Sequence, residues 1–380
     1  MLNNGNYNNY QRKIKKLIKN PGIFFRDYFN KHYPDINTEM GVDETVETAL
    51  AKYSNINTLE IPDDMDIDVV FTWVDNTDKQ WQRKYEYNKA NSDYAIISQY
   101  AMDSARFDNH NELFYSIKAV EKYLPWVRKI YVITDNHIPS WINEVPKITI
   151  VDHKEIIDNQ YLPTFNSHVI EAFLHRIPDL SENFIYFNDD VFVAKALDKE
   201  HFFSANSIGS LFVSAKNLYT MQKKGVETPT LKASLRSVEL LKRYYPYDIK
   251  NSLVHTYFPL KKSGYEKAWN LFEKEIREFL PSKFRGYNDL NMASFLVPWL
   301  LYCEAKAIEK IDICYYFNIR SRHAVTRYEK LLKLKNSNDS PHSFCANDFK
   351  SDSGNKLPDY SERLTTMLQY YYVEEMVKDE

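Results

Sequence analysis

Four short apolar runs that each end on a polar, mostly acidic residue constrain this chain most. They are IDVVFTWVD at residues 67–75, KIYVITD at 129–135, ITIVD at 148–152 and FIYFNDD at 184–190. Each is five to nine residues long and rich in β-branched and aromatic side chains, the pattern of a strand buried on both faces. Between them, residues 112–124 and 167–177 carry apolar residues at helical spacing. Strands alternating with helices predict a mostly parallel α/β sheet, and in such sheets ligands bind outside the carboxyl ends of the strands. The polar residues that end the runs are therefore the first candidates for chemistry: Asp75, Asp78, Asp135, Asn136, Asp152, His153, Asn188, Asp189 and Asp190.

Beyond residue 215 the pattern turns mainly helical, with candidates at 230–243, 265–279, 289–307 and 360–377. Three parts are expected: a basic N-terminal segment and linker at 1–64, an α/β core at 65–215, and a helical lobe at 216–380 that closes the cleft. In the first part, Lys13, Lys15, Lys16, Lys19, Arg26 and Lys31 alternate with Ile14, Leu17, Ile18, Phe24, Phe25 and Phe29. A basic amphipathic helix of this kind suits an anionic membrane surface or a packed helix with a solvated face. No run reaches the ~18 apolar residues of a spanning helix, so the expected location is cytoplasmic, with contact at the inner face of the plasma membrane. Lys plus Arg is 49 against 52 Asp plus Glu, a formal charge of −3, which removes a global electrostatic case for nucleic acid. The three cysteines have no C-x-x-C spacing, which argues against a disulfide framework or a structural zinc site.

Adjacent carboxylates ending a buried strand are costly unless a cation or hydrogen-bond donors offset them. Asp189 and Asp190 therefore fit a hard divalent ion, Mg²⁺ or Mn²⁺, shared with a diphosphate; an Asx-turn at the strand end is the alternative. The stretch at 162–172, LPTFNSHVIEA, gives Asn166 or Ser167 as a helix cap, with His168, Glu171 and His175 at helical spacing. His255 can take a proton from a hydroxyl, and Arg285 can donate paired hydrogen bonds to a phosphate.

Taken in order, these blocks resemble the Stealth proteins, a family of capsule and exopolysaccharide phosphotransferases that includes the animal N-acetylglucosamine-1-phosphotransferase. The resemblance runs through residues 67–81, Arg106-Phe107, 111–113, 131–142, 162–172, 186–193, 255–259, 283–290 and 343–348. It departs at Asn111, where an acid is typical, leaving Glu112 as the retained acid. The resemblance implies a nucleotide-sugar-binding fold of the GT-A or Rossmann-like kind. It also implies transfer of a hexose or N-acetylhexosamine 1-phosphate from a UDP-sugar to a hydroxyl of a glycan or lipid-linked oligosaccharide, with release of UMP. On that reading Asp189 and Asp190 hold the metal, Arg285 and Arg106 meet phosphate charge, and His255 is the general base, with His168 as the alternative. Thr72, Trp73, Asp75, Asp78, Glu112, Asp135, Asn136, Asn166 and Asn188 line the nucleotide-sugar site. A metal-dependent glycosyltransferase releasing UDP and a non-catalytic assembly protein are the competing readings.

Overall fold

The computed structural model describes residues 14–15, 17–32, 64–92, 107–145, 147–349 and 357–373. Its centre is a five-stranded sheet in the order β3-β2-β1-β4-β8, built from β1 (Ile67–Thr72), β2 (Ile130–Thr134), β3 (Ile148–Asp152), β4 (Asn183–Asn188) and β8 (Phe258–Lys261). The first four strands are mutually parallel, as the alternating pattern predicts, and β8 joins β4 antiparallel. Both faces are covered. Val69 and Phe71 of β1 pack with Ile117 and Val120 of the helix Glu112–Tyr123, whereas Val70 packs with Val169, Phe173 and residues of the helices Lys262–Phe279 and Val297–Cys303. Burial on two sides is why these strands read as continuous apolar runs.

The amino ends of the parallel strands are braced by charges. Asp68, fully buried, accepts from Arg128 Nε at 2.9 Å and Nη2 at 2.6 Å and from the backbone N–H groups of Lys129 and Ser181. Lys261 on β8 donates to Asn183 Oδ1 at 2.6 Å and Ser207 Oγ at 2.7 Å. Each buried charge has the partners that make its burial tolerable, so this end of the sheet is structural.

At the opposite end the chain changes sheets. β4 stops at Asn188, Asp189 and Asp190 make the turn, and β5 (Val191–Val193) enters a second sheet, ordered β10-β11-β5. Here β10 (Cys314–Asn318) runs parallel to β11 (Ser343–Asn347), which pairs antiparallel with β5. A third sheet, β7-β6-β9, comprises β6 (Gly209–Asn217), β7 (Asn251–Leu253) and β9 (Ala307–Lys310). Residues after 215 thus add helices and also strands woven into all three sheets. Two expected helices are interrupted: 167–177 is a helix at Ser167–Glu171 followed by a 3-10 turn at Leu174–Arg176, and 289–307 is a π turn, Met292–Leu296, running into Val297–Cys303. Among the described residues no helix is long and apolar enough to cross a membrane. The helix Pro21–His32 exposes Ile23, Phe25, Tyr28 and Phe29.

Candidate active site

The sheet-changing turn brings three carboxylates together. Asp189 and Asp190 meet Glu112, the first residue of its helix, whose Oε2 accepts from the backbone N–H of His110 at 2.5 Å. Asn111 precedes it with φ of 65°, a left-handed conformation that Asn tolerates better than most residues, which gives the departure at this position a backbone role. Ser116 Oγ ties the same helix to Val191 O at 2.6 Å. Burial lifts the Glu112 carboxyl to about 7, with His110 opposing and Asp190 adding to the rise. Asp189 is pushed well above the carboxylate range by burial, by Asp190 and by Glu112. Behind Glu112, Arg320 grips Asp348 with two nitrogens and reaches Asp108 Oδ2 at 3.1 Å, while His110 Nε2 lies 3.0 Å from Asp348 Oδ2. Burial opposes ionisation of Asp348, but His110 and Arg320 outweigh it and hold its pKa below the ordinary value.

Asp190 is half satisfied. Its Oδ2 accepts from Asn347 Nδ2 at 3.0 Å and from Cys345 Sγ at 3.3 Å, whereas its Oδ1 is buried without a hydrogen-bond partner. A buried, unpaired carboxylate oxygen beside two further acids is the donor set a hard cation takes. Ligand atoms of Asp190, His255 and Cys345 lie within 4.8 Å of one another.

His255 opens to solvent, yet the protein packed around its ring holds its pKa below the usual histidine value. Asp190 opposes that shift, and Lys216 and Arg285 add to it. A brace fixes the backbone here: Cys314 Sγ donates to His255 O at 3.2 Å, and Thr256 Oγ1 lies 2.6 Å from Ser343 Oγ. Tyr257 and Ser343 both donate to the buried Asp312, at 2.6 and 3.1 Å, and His201 Nε2 lies 2.9 Å from the same carboxylate.

Arg285 sits on a loop held by Asp289, which is fully buried. Asp289 Oδ2 accepts from Asn166 Nδ2 at 2.9 Å and from Gly286 N–H at 3.1 Å, and lies 2.9 Å from His168 Nδ1. Arg285 in turn donates to Ser167 Oγ, which donates to Glu171 Oε1 at 3.2 Å; the buried Glu171 Oε2 has no partner. Three expectations meet a different geometry. His168 is 2% exposed and its Nδ1 is taken by Asp289, so that nitrogen is not available to an incoming hydroxyl. Asn166 caps Ser167–Glu171 and anchors the Arg285 loop through Phe284 O and Asp289, because a buried amide must satisfy both of its ends. Nor do His168 and His175 share a face: the helix breaks between them, and His175 stacks on Tyr265 with centroids 5.5 Å apart. Glu171, by contrast, joins the Arg285 network; its spacing of four from Ser167 was the available signal.

The ends of β1 and β2 form the neighbouring wall. Thr72 Oγ1 meets Tyr186 OH at 2.9 Å, and Tyr186 OH donates to Asn188 Oδ1 at 3.0 Å. Trp73 is buried edge-to-face on His137, whose Nδ1 accepts from Asp75 N–H at 2.9 Å. Asp135 pairs with Lys84 at 2.9 Å, and Asn136 is exposed at φ of 57°. Asp78 is engaged in local structure: it caps the helix Lys79–Ala90 by accepting from Trp81 N–H at 2.6 Å, which lowers its pKa. His153, directly after β3, is buried, and its Nε2 has no hydrogen-bond partner. Arg106 lies outside the described residues.

The sequence that builds this site has known relatives. Conserved region 1 of the Stealth proteins matches residues 65–93 and conserved region 2 matches residues 106–210. The capsular polysaccharide phosphotransferase of Actinobacillus suis is 55% identical over 374 residues, covering 96% of this chain and 100% of that protein. The chain belongs to the Stealth family. Capsular polysaccharide phosphotransferase LcbA of Neisseria meningitidis is 53% identical over 368 residues, covering 95% of this Stealth chain and 99% of that protein. The Stealth chain is thus an enzyme of the phosphotransferase type. Region 1 spans β1 and the helix capped by Asp78; region 2 carries Glu112, Ser167, Glu171, Asp189 and Asp190. Among solved structures, the galactosyltransferase LgtC with donor and acceptor sugar analogues aligns with a TM-score of 0.39 at 12% identity, over 79% of this chain and 95% of that one.

Proposed function

We propose that this enzyme transfers a sugar-1-phosphate, of a hexose or N-acetylhexosamine, from a UDP-sugar to a hydroxyl of a glycan or lipid-linked oligosaccharide in capsule or exopolysaccharide synthesis. The acceptor oxygen bonds to the phosphorus that bears the sugar, the bond from that phosphorus to the UMP oxygen breaks, and the hydroxyl proton passes to a base. The observation that carries this reading is the meeting of His255 and Asp190 at the carboxyl ends of the strands. His255 is solvent-facing and its proton affinity is lowered, so it is neutral and ready to accept a proton at neutral pH. Arg285, steadied by Ser167, supplies charge for the transferring phosphate.

The acids fit a divalent cation, because Asp190 has a free buried oxygen and Asp189 is strained by its neighbours. Asp190 and Asp189 would hold Mg²⁺ or Mn²⁺, and the ion when bound would neutralise diphosphate charge. Thr72, Asp75, Asp135 and Asn188 line the nucleotide side of the cleft in this reading. The nucleotide product tests it. Incubation with a panel of UDP-sugars and Mg²⁺ should release UMP and give a phosphodiester resonance in ³¹P NMR, and exclusive release of UDP would replace the reading with sugar transfer.

The same proposal places the enzyme in the cytoplasm, on the inner face of the plasma membrane. Its support is the exposed Ile23, Phe25, Tyr28 and Phe29 on a helix in a segment rich in lysine. Removing residues 1–33 should abolish co-sedimentation with anionic vesicles, and unchanged sedimentation would remove the membrane from the account.

A further inference from the structure

A transfer enzyme must hold two ligands, and the groups discussed so far serve the donor and the proton. The acceptor must lie against the base, since a general base works only within hydrogen-bond reach of the proton it removes. The side chains around His255 that have no other assignment are therefore the place to look, and two stand out.

The first is Tyr316, on β10. It lies directly opposite Cys345 of β11 in the sheet register, so the two side chains project from the same face. Cys345 Sγ reaches Asp190 Oδ2, which identifies that face as the one turned toward the carboxylates. The Tyr316 ring meets His255 edge-to-face with centroids 5.2 Å apart and is only partly buried. The second is Lys216, near the end of β6, whose Nζ lies 5.5 Å from the centre of the Tyr316 ring. Lys216 is exposed, and its ammonium has no carboxylate partner among the described residues. It also acts on His255 electrostatically, in the same sense as Arg285.

We infer that Tyr316 and Lys216 form the acceptor subsite, which takes a sugar ring bearing an anionic substituent and presents its hydroxyl to His255. The inference rests on the proposed sugar-phosphate transfer. An aromatic face packs against the apolar C–H face of a pyranose and fixes the ring's orientation. A cation beside that platform, with no acid of its own to neutralise it, selects an acceptor with negative charge near the attacked hydroxyl. Two cationic groups from different elements thus flank His255: Arg285, hydrogen-bonded to Ser167, on the donor phosphate, and Lys216 on the acceptor.

Steady-state kinetics with three chromophore-tagged acceptors test this: a neutral N-acetylhexosaminide, the same glycoside carrying a methyl phosphodiester, and the corresponding uronide. Wild type should prefer an anionic acceptor, and whichever of the last two has the lower KM identifies the charged group as phosphodiester or carboxylate. Lys216→Ala should raise the KM for that acceptor ~10-fold, the loss of one charge-assisted hydrogen bond, and move the neutral acceptor's KM far less. Lys216→Arg should restore the preference. Tyr316→Ala should raise KM for all three acceptors, and Tyr316→Phe, which keeps the ring and the fold, should not. Equal KM values for neutral and anionic acceptors in wild type, or a Lys216→Ala defect confined to the donor KM, would overturn the inference. Identifying the nucleotide released in the same reactions separates the two claims. UMP without acceptor discrimination refutes the subsite alone, whereas UDP refutes the phosphotransfer it rests on.

Discussion

Asp289 offers a sharp test of how the site is held. It touches neither the cleft nor the acids at its centre, yet its Oδ2 holds three donors: Asn166 Nδ2, Gly286 N–H and the ring of His168. Through Gly286 it fixes the loop that carries Arg285, and through Asn166 and His168 it fixes the helix that carries Ser167 and Glu171. Replacing Asp289 with Ala strands these donors in a site closed to water. An unsatisfied buried group costs about 1–3 kcal/mol, and Asn166 keeps a partial alternative in Phe284 O, so the loss should total about 3–5 kcal/mol. That is a large fraction of the stability of a typical domain.

Asp289→Asn is the more informative change. Its amide oxygen can occupy the Oδ2 position and keep the three contacts, while its NH₂ enters the Oδ1 position, which has no hydrogen-bond partner. The cost should fall to about 1–2 kcal/mol. Activity should suffer more than stability, because a shift of ~1 Å in Arg285 can cost ~10²-fold in an oriented transfer. Urea unfolding followed by tryptophan fluorescence gives the first quantity. Turnover, measured where both proteins are fully folded, gives the second. An Asp289→Asn protein with wild-type kcat would show that the carboxylate supports the fold alone, and an Asp289→Ala cost under ~1 kcal/mol would show that it does not anchor the loop.

Asp190→Asn should abolish turnover while the protein remains folded, since the amide keeps the side chain's size and an oxygen for Asn347 and Cys345; near-normal turnover at saturating Mg²⁺ would refute the cation assignment. His255→Ala should lower kcat by ~10²–10⁴-fold with a smaller change in donor KM; a defect in donor KM alone would make His255 a binding residue. His175 predicts a pH effect. Burial, with Arg176 and Lys262, lowers its pKa to about 4, and its Nδ1 has no partner. The unfolded chain takes up this proton near 6.5 and the folded protein refuses it until about 4, so stability is full above 6.5 and is lost as the pH falls through that window. The loss is at most about 3 kcal/mol. His175→Phe should remove it, flattening the acid limb of Tm against pH, and parallel curves for the two proteins would refute the assignment.

The parallel strands were legible because burial on both faces leaves a local mark, a short apolar run with a polar end. β3 appears over the residues that mark it, and β1, β2 and β4 differ from theirs by one to three residues at an end. The second sheet left no such mark. β5 is three residues long and exists because Val191 and Phe192 find Cys345 and Phe344 across the fold, a pairing that no window around residue 190 contains. The same limit governs the site. His168 and His255 look equally suited to proton transfer as residue types, but a buried carboxylate 121 residues from His168 in the chain claims its Nδ1, while the strand pairings leave His255 open beside Asp190. Asp78 was recognisable as an acid near a strand end, and its use as a cap depended on the helix that begins one residue later. For Asp189 and Asp190 the local reading is a strand end carrying adjacent charges, and they form the turn that leaves β4. The raised pKa of Asp189 comes from burial, then from Asp190 and Glu112, and the orphaned oxygen of Asp190 exists because Asn347 and Cys345 occupy only its other side. A pair of acids in a strand turn is common, but a pair with one oxygen pinned from the next sheet and the other left bare is poised for a cation, and only the tertiary pairing distinguishes the two cases.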